Sequence, residues 1–333
     1  MKIKKINLIG LLVFIVLVIF GLFKMNQGYL TPDEIFYTGT EKLSYDVAFK
    51  FYLTKIIFSK IYSINEFLLP LINIVVTLFV LRWFNNHFIK NVKRLSYKFL
   101  LLAFLLPSVI YFATAHLRDL YIFLAALFFF YSQDLKFWKK LLLVTILTTL
   151  RYEAGLLLIF VILIEKVINW KVVNKFNKYN IPVIIFFFWG FTILILQNNY
   201  VFNLLTEFIS GYEKTTTGFS VYQLPITREN IILYSIPNWI AFWMPYSFKP
   251  ISTSFEYFLL IDGIMVALLI LRSFQNFRIN TFQNDKIYRI ATLYFLFTFF
   301  MSIPETLPST IIRHHMAYLP ALLYLNFPVK RVT

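Results

Sequence analysis

The stretch LLLVTILTTLRYEAGLLLIFVILI, residues 141–164, decides how the rest of the chain is threaded. It holds two apolar runs, 141–150 and 154–164, separated by Arg151, Tyr152 and Glu153. Each run is well under the roughly 20 residues that a helix needs to cross the hydrocarbon of a bilayer. Read as one helix, 141–164 would send the following Lys-bearing segment, 165–178, to the side opposite the other Lys-rich loops. Read as a helical hairpin with RYE at its tip, it leaves every Lys-rich loop on one side. The charge bias favours the hairpin.

The surroundings agree with an apolar chain. Of 333 residues, 59% are hydrophobic, 20% aromatic and only 14% charged, and the mean hydropathy is positive, far from the composition of a soluble domain. Further apolar segments lie near 67–84, 99–114, 120–132, 181–197, 257–271, 288–303 and 314–327. The basic start MKIKK and the apolar run from about Leu8 to Phe23 have the look of a signal peptide. No small-residue cleavage site follows, so the run is read as a first spanning helix. The expectation is an all-α polytopic transmembrane bundle of about ten crossings. It forms a single integral membrane domain over 1–333, with long, partly helical outer-face loops at 24–66 and 198–256.

The net charge of +16 follows the same threading. The basic side collects 21 of the 32 Lys and Arg residues with only three acids, Asp134, Glu165 and Asp285. Cytoplasmic loops gather such charge, so both termini are expected inside a bacterial inner (plasma) membrane, with any site on the periplasmic or extracellular face. The charge is topological, and no nucleic-acid partner is expected. The absence of cysteine excludes disulfides, thiolate metal sites and cysteine nucleophiles. No P-loop, H-E-x-x-H, G-x-S-x-G or dinucleotide fingerprint occurs.

On this threading the charges bordering apolar segments all face outward. They are Asp33 and Glu34 in QGYLTPDEIFYTGTEKL, residues 27–43, and Arg118 and Asp119 in AHLRDL. Arg151 and Glu153 in RYE, and Arg313, His314 and His315 in IIRHH, complete the set. Ionisable groups at such depth cost about 2.5–3.5 kcal/mol each, so their gathering suggests a site. Structural readings stand beside this one. Asp33 could cap a short helix, the Arg–acid sets could be ion pairs that hold helix ends, and paired histidines alone are a weak metal signal. Asp262, in LLIDGIMV, is a weak candidate of the same kind. Trp239, Trp243, Tyr246 and Phe248, in IPNWIAFWMPYSF, suit an interfacial or re-entrant element at headgroup depth.

A basic N-terminus, one helix and then PDEIFYTGTEKL resemble the start of the GT-C superfamily of membrane glycosyltransferases, whose first outer loop carries an acidic DE. LPSVIYFATAHLRDLYIFLAALFFFY is similar to that family's proline-bearing helix, charged outer turn and next helix. LLLVTILTTLRYEAGLLLIFVIL is similar to its charged-tip hairpin, and RHHMAYLPALLYL to its R-Y…P close.

The resemblance implies an inverting sugar transfer in cell-envelope polysaccharide synthesis. The donor would be polyprenyl-phosphate-linked and reached from the surrounding membrane lipids, and the acceptor a glycan or lipid at the outer face. It implies Asp33 as general base. Glu34 would either tune it or help hold a divalent metal, Mg or Mn. Arg118, Arg151 and Arg313 would clamp the phosphate, since guanidinium groups match its oxygens bidentately. Asp119, Glu153 and His314 are the accompanying substrate-side residues. The chain departs from the family in its fewer crossings, in lacking a soluble C-terminal domain, and in carrying no acceptor motif in 198–256. An O-antigen or capsular polysaccharide polymerase is the runner-up and would not need the early DE. A transporter of lipid-linked substrates would need charge deep in mid-helix, where only Asp262 lies.

Overall fold

A computed structural model of the chain describes residues 11–22, 32–39, 49–88, 103–115, 117–132, 135–167, 190, 194–195, 197–203, 237–244, 254–277, 279–302 and 313–329. Helices account for nearly all of them, with no strand among the described residues. The all-α expectation is correct, but the ten-crossing bundle is not. No single helix among the described residues is long and apolar enough to cross a membrane. One bent pair, Thr54–Ile64 with Leu68–Phe84, passes by length and composition, and it turns by 111° at its break.

The corrections have local causes. The apolar run 99–114 is cut by Pro107. Leu106 before it is extended, at φ −59° and ψ 133°, because a residue preceding proline is pushed out of the helical region. The run 314–327 yields a helix of only 8 residues, and 120–132 one of 13. The stretch 141–164 does split at Arg151, as the hairpin reading expected, into helices of 14 and 16 residues.

Chain contacts divide the molecule into two compact units, Met1–Leu156 with Asn326–Thr333, and Leu157–Leu325. The first contains α1 (Leu11–Leu22), α2 (Pro32–Thr38), α3 (Phe49–Ile64), α4 (Leu68–Phe88), a 3-10 turn at Ala103–Leu105, α5 (Pro107–Thr114), α6 (Asp119–Tyr131), α7 (Phe137–Leu150) and the start of α8 (Tyr152–Val167). Here α2 packs on α3, α4 on α5, and α6 along α7. Gly39 closes α2 by donating its N–H to the Ile35 carbonyl at 2.7 Å, and a Cβ there would lie 2.8 Å from that oxygen. Asn65 stops α3, its side chain accepting from the Phe67 N–H at 2.7 Å.

Arg151 ends α7 in an extended conformation. The chain then turns back, because Gly155 of α8 lies directly against Thr148 of α7. A Cβ on Gly155 would run into the Thr148 hydroxyl and backbone, its nitrogen at 2.6 Å. In a continuous helix two residues seven apart would be about 10 Å apart along the axis. Only glycine allows this approach.

The second unit holds the rest of α8, α9 (237–243), α10 (Ser254–Asn276), α11 (Ile279–Asn284), α12 (Lys286–Ser302) and α13 (Leu319–Asn326). Asp285 caps α12, its Oδ1 accepting from the N–H groups of Ile287 and Tyr288 at 2.8 and 3.1 Å, as short acidic side chains do at helix starts. Its Oδ2 accepts from the Tyr324 hydroxyl of α13 at 3.1 Å. Glu165, at the end of α8, accepts from Arg289 at 2.8 Å and pairs with Lys286 at 3.2 Å. The end of α8 is thereby tied to the start of α12.

The aromatic run is also corrected. Trp243 is buried, and both Trp239 and Trp243 donate their indole N–H to Thr298 Oγ1 of α12, at 2.9 and 3.3 Å. An internal hydroxyl, rather than lipid headgroups, satisfies these rings. Tyr246 and Phe248 lie outside the described residues, as does most of 198–256.

Close packing at Gly155 makes a direct prediction. Gly155→Ala should lower stability by about 1–3 kcal/mol through overpacking. Gly21→Ala, whose Cβ would meet Ile74 and Thr114 at an ordinary 3.6 Å, should gain up to about 1 kcal/mol from helix propensity. Thermal unfolding midpoints of the two purified variants decide it, and equal midpoints would refute the turn-back at Arg151.

Candidate functional site

The short helix α2 starts on Pro32, whose fixed φ and missing N–H suit the first turn, and it carries both acids of the early loop. The Asp33 side chain lies outside the described residues. Glu34 is fully buried, and it is near enough to act electrostatically on the Tyr62 hydroxyl of α3, which also hydrogen-bonds Glu66. The next two positions on α2 are aromatic. The Phe36 and Tyr37 rings meet edge to face, with centroids 5.2 Å apart at 80°, and Tyr37 packs on Phe58 of α3 at 6.0 Å.

Two cations face these rings. The Arg118 guanidinium lies 5.9 Å from the Tyr37 centroid, and Lys55 Nζ of α3 lies 4.6 Å from that of Phe36. Both are within the range of favourable cation–π contact. Arg118 occupies the turn between α5 and α6, where its carbonyl accepts from the N–H groups of Tyr121 and Ile122 at 3.0 and 3.2 Å. Its neighbour Asp119 sits in the first turn of α6, where the helix dipole favours a negative charge.

Asp119 accepts from Arg151 Nη2 at 3.1 Å, with side chains 0% and 5% exposed. A buried ion pair therefore joins the start of α6 to the break between α7 and α8. Arg151 Nη1 is buried with no hydrogen-bond partner among the described residues, so the guanidinium still has a donor to give. Glu153 is half-buried in the first turn of α8. The same region contains Asn73 of α4, which donates to the Ala115 carbonyl at 2.9 Å and accepts from the Tyr121 hydroxyl at 2.6 Å.

The structure thus brings Arg118, Asp119 and Arg151 together beside the helix of Asp33 and Glu34. Arg313 and His314 belong to the second unit, both half-buried in the turn leading to α13. His315 goes inward instead. Its Nε2 lies 3.5 Å from Asp262 Oδ2, both side chains being buried, and its ring stacks on Trp243 at 5.9 Å and 12°. Among the described residues no group of three or more His, Asp or Glu side chains could hold a metal ion. Sequence reasoning passed over Lys55, Asn73 and Tyr121. A polar residue inside an apolar run was the available signal for Asn73, in LINIVV.

Compared with protein-family models, with curated proteins and with solved structures, the chain gives no match.

The Asp119–Arg151 contact makes the second prediction. Asp119→Asn leaves Arg151 buried without a counter-charge and should cost about 3–5 kcal/mol, whereas Asp119→Leu combined with Arg151→Met should recover most of that loss. Unfolding of the single and double variants forms the cycle. Additivity to within about 0.5 kcal/mol would mean that the two side chains do not interact.

Proposed function

We propose that this chain is a membrane glycosyltransferase. It transfers a sugar, with inversion, from a polyprenyl-phosphate-linked donor to a glycan or lipid acceptor at the outer face of the membrane. One observation carries the reading: Arg118 lies on the Tyr37 ring, so the guanidinium groups around Asp119 stand against the helix that bears Asp33 and Glu34. The reaction needs these two charge types side by side, anion-binding cations for the phosphate and a carboxylate for the acceptor.

A membrane setting is supported by the outward-facing residues. On α10, Ile261, Ile264, Leu268 and Leu271 are exposed, three or four positions apart, as an apolar stripe on one helix face must be. Leu156, Ile159, Phe160 and Leu163 do the same on α8. Exposed apolar stripes of this kind call for apolar surroundings.

In the proposed step, the acceptor hydroxyl oxygen attacks the anomeric carbon from the face opposite the lipid phosphate. A carbon–oxygen bond to the acceptor forms while the bond to the phosphate oxygen breaks, and its electron pair leaves with the phosphate. The hydroxyl proton passes to the Asp33 carboxylate, the general base. Arg118 and Arg151 hold the departing phosphate by charge-assisted hydrogen bonds. The pairing with Asp119 leaves Arg151 Nη1 available for that role. Glu34 places a second acid one residue from the base, and Glu153 remains a substrate-side candidate.

The test is sugar transfer from a synthetic polyprenyl-phosphate donor by purified protein in lipid, with donor binding followed separately. Asp33→Asn should lower turnover by about 10²-fold or more with binding kept, because it removes basicity and little else. Arg118→Met should weaken binding as well as turnover, since the phosphate is charged in the ground state too. Near-normal transfer by Asp33→Asn would sink the assignment and leave the polymerase reading, for which the arginines alone suffice.

A further inference from the structure

We propose that the outer face of α7, from Lys136 onward, is a docking surface for the headgroups of anionic phospholipids. It rests on the membrane setting proposed above and is independent of sugar transfer.

The segment LKFWKK, residues 135–140, sets three lysines around two aromatic rings, against one neighbouring acid, Asp134. In the fold Lys136, Phe137, Trp138 and Lys139 are all exposed, Phe137 at 75% and Trp138 at 57%. Charge and ring are presented together, since Lys139 Nζ lies 5.4 Å from the Trp138 ring centroid, within cation–π range. Such a combination suits the headgroup layer. There an indole keeps its ring at the acyl boundary and its N–H in the polar zone, while a lysine lays its stem on apolar surface and holds its ammonium among the phosphates.

The rest of the helix continues the same surface. Leu141, Leu142 and Ile146 are exposed, whereas Val144 and Leu147 are buried. Counted from Trp138, the exposed leucines and isoleucine fall three, four and eight residues on, which a helix places on one side. An apolar stripe therefore runs up α7 from a basic and aromatic collar. Water would cover the lysines well and the stripe badly, and neutral lipid would favour the stripe while giving the lysines no net counter-charge. Anionic headgroups above acyl chains suit both. A protein partner fits less well, because lysine is depleted from protein interfaces.

The experiment places the full-length protein in nanodiscs with equal amounts of phosphatidylcholine and phosphatidylglycerol. Bromine, which quenches nearby tryptophan, is carried on the acyl chains of one lipid or the other. The Trp138 share of the quenching is the difference between the protein and Trp138→Phe. Brominated phosphatidylglycerol should quench Trp138 as if enriched about fivefold or more over brominated phosphatidylcholine, and Lys136→Gln combined with Lys139→Gln should bring the ratio to within about twofold of unity, the effect of removing cations from an anionic surface. Both lysines are exposed, so the double variant keeps its fold. Flotation with pure phosphatidylcholine vesicles checks the membrane setting separately and should be the same for both proteins.

Equal quenching by the two brominated lipids in the unsubstituted protein would overturn the inference, as would a preference that survives loss of both lysines. Quenching of Trp138 by aqueous iodide and by neither lipid would turn the surface toward water, open to a protein partner, with the same result. Failure to float with phosphatidylcholine vesicles would remove the membrane setting itself. Normal flotation without a phosphatidylglycerol preference would remove the docking surface alone.

Discussion

The buried pair between Asp119 and Arg151 is the constraint around which the first unit is arranged. In a chain where only 14% of residues are charged, removing two of them fully from solvent is a large commitment. A buried pair gains little over well-packed apolar residues, because desolvation takes back most of the Coulomb attraction. What it supplies is position. Asp119 is fixed by the first turn of α6, and Arg151 by its own backbone, whose N–H donates to Leu147 and whose carbonyl accepts from Gly155. The contact between them sets where α7 must stop and where α8 must start. It also holds Arg118, one residue from Asp119, against Tyr37 of α2.

The turn at Arg151 could be read in the sequence because two signals coincided there. RYE interrupts the apolar run with charge, and Gly155 four residues later provides the one side chain small enough for α8 to lie on Thr148. The helical class was legible from the same runs. Their continuity was not, since hydropathy averages over a window and is blind to a single Leu106–Pro107 step or a glycine-closed turn such as Gly39. A run of sixteen apolar residues and a helix of sixteen residues are different objects, and the backbone at one position separates them.

Burial of polar side chains was the other limit, because it depends on partners far away in sequence. Trp239 and Trp243 read as interfacial until Thr298, more than fifty residues on, takes both indole N–H groups. Asn73 looks like an intruder in an apolar run until the Ala115 carbonyl and the Tyr121 hydroxyl, more than forty residues later, use both ends of its amide. His315 and His314 are indistinguishable in IIRHH. Only the fold sends one onto Asp262 and Trp243 and leaves the other half-buried.

These buried groups fall into two kinds, and the difference bears on function. Glu165 with Arg289 and Asp119 with Arg151 are closed by the protein itself. Removing one member of such a set leaves a buried charge exposed to nothing, so selection on folding alone explains why both members are present. Arg151 is open within its own pair, because its Nη1 stays buried with no acceptor among the described residues. An apolar residue of the same size would serve the packing at lower cost, so that nitrogen is the part of the pair that folding does not account for, and it is the donor on which the proposed phosphate clamp draws.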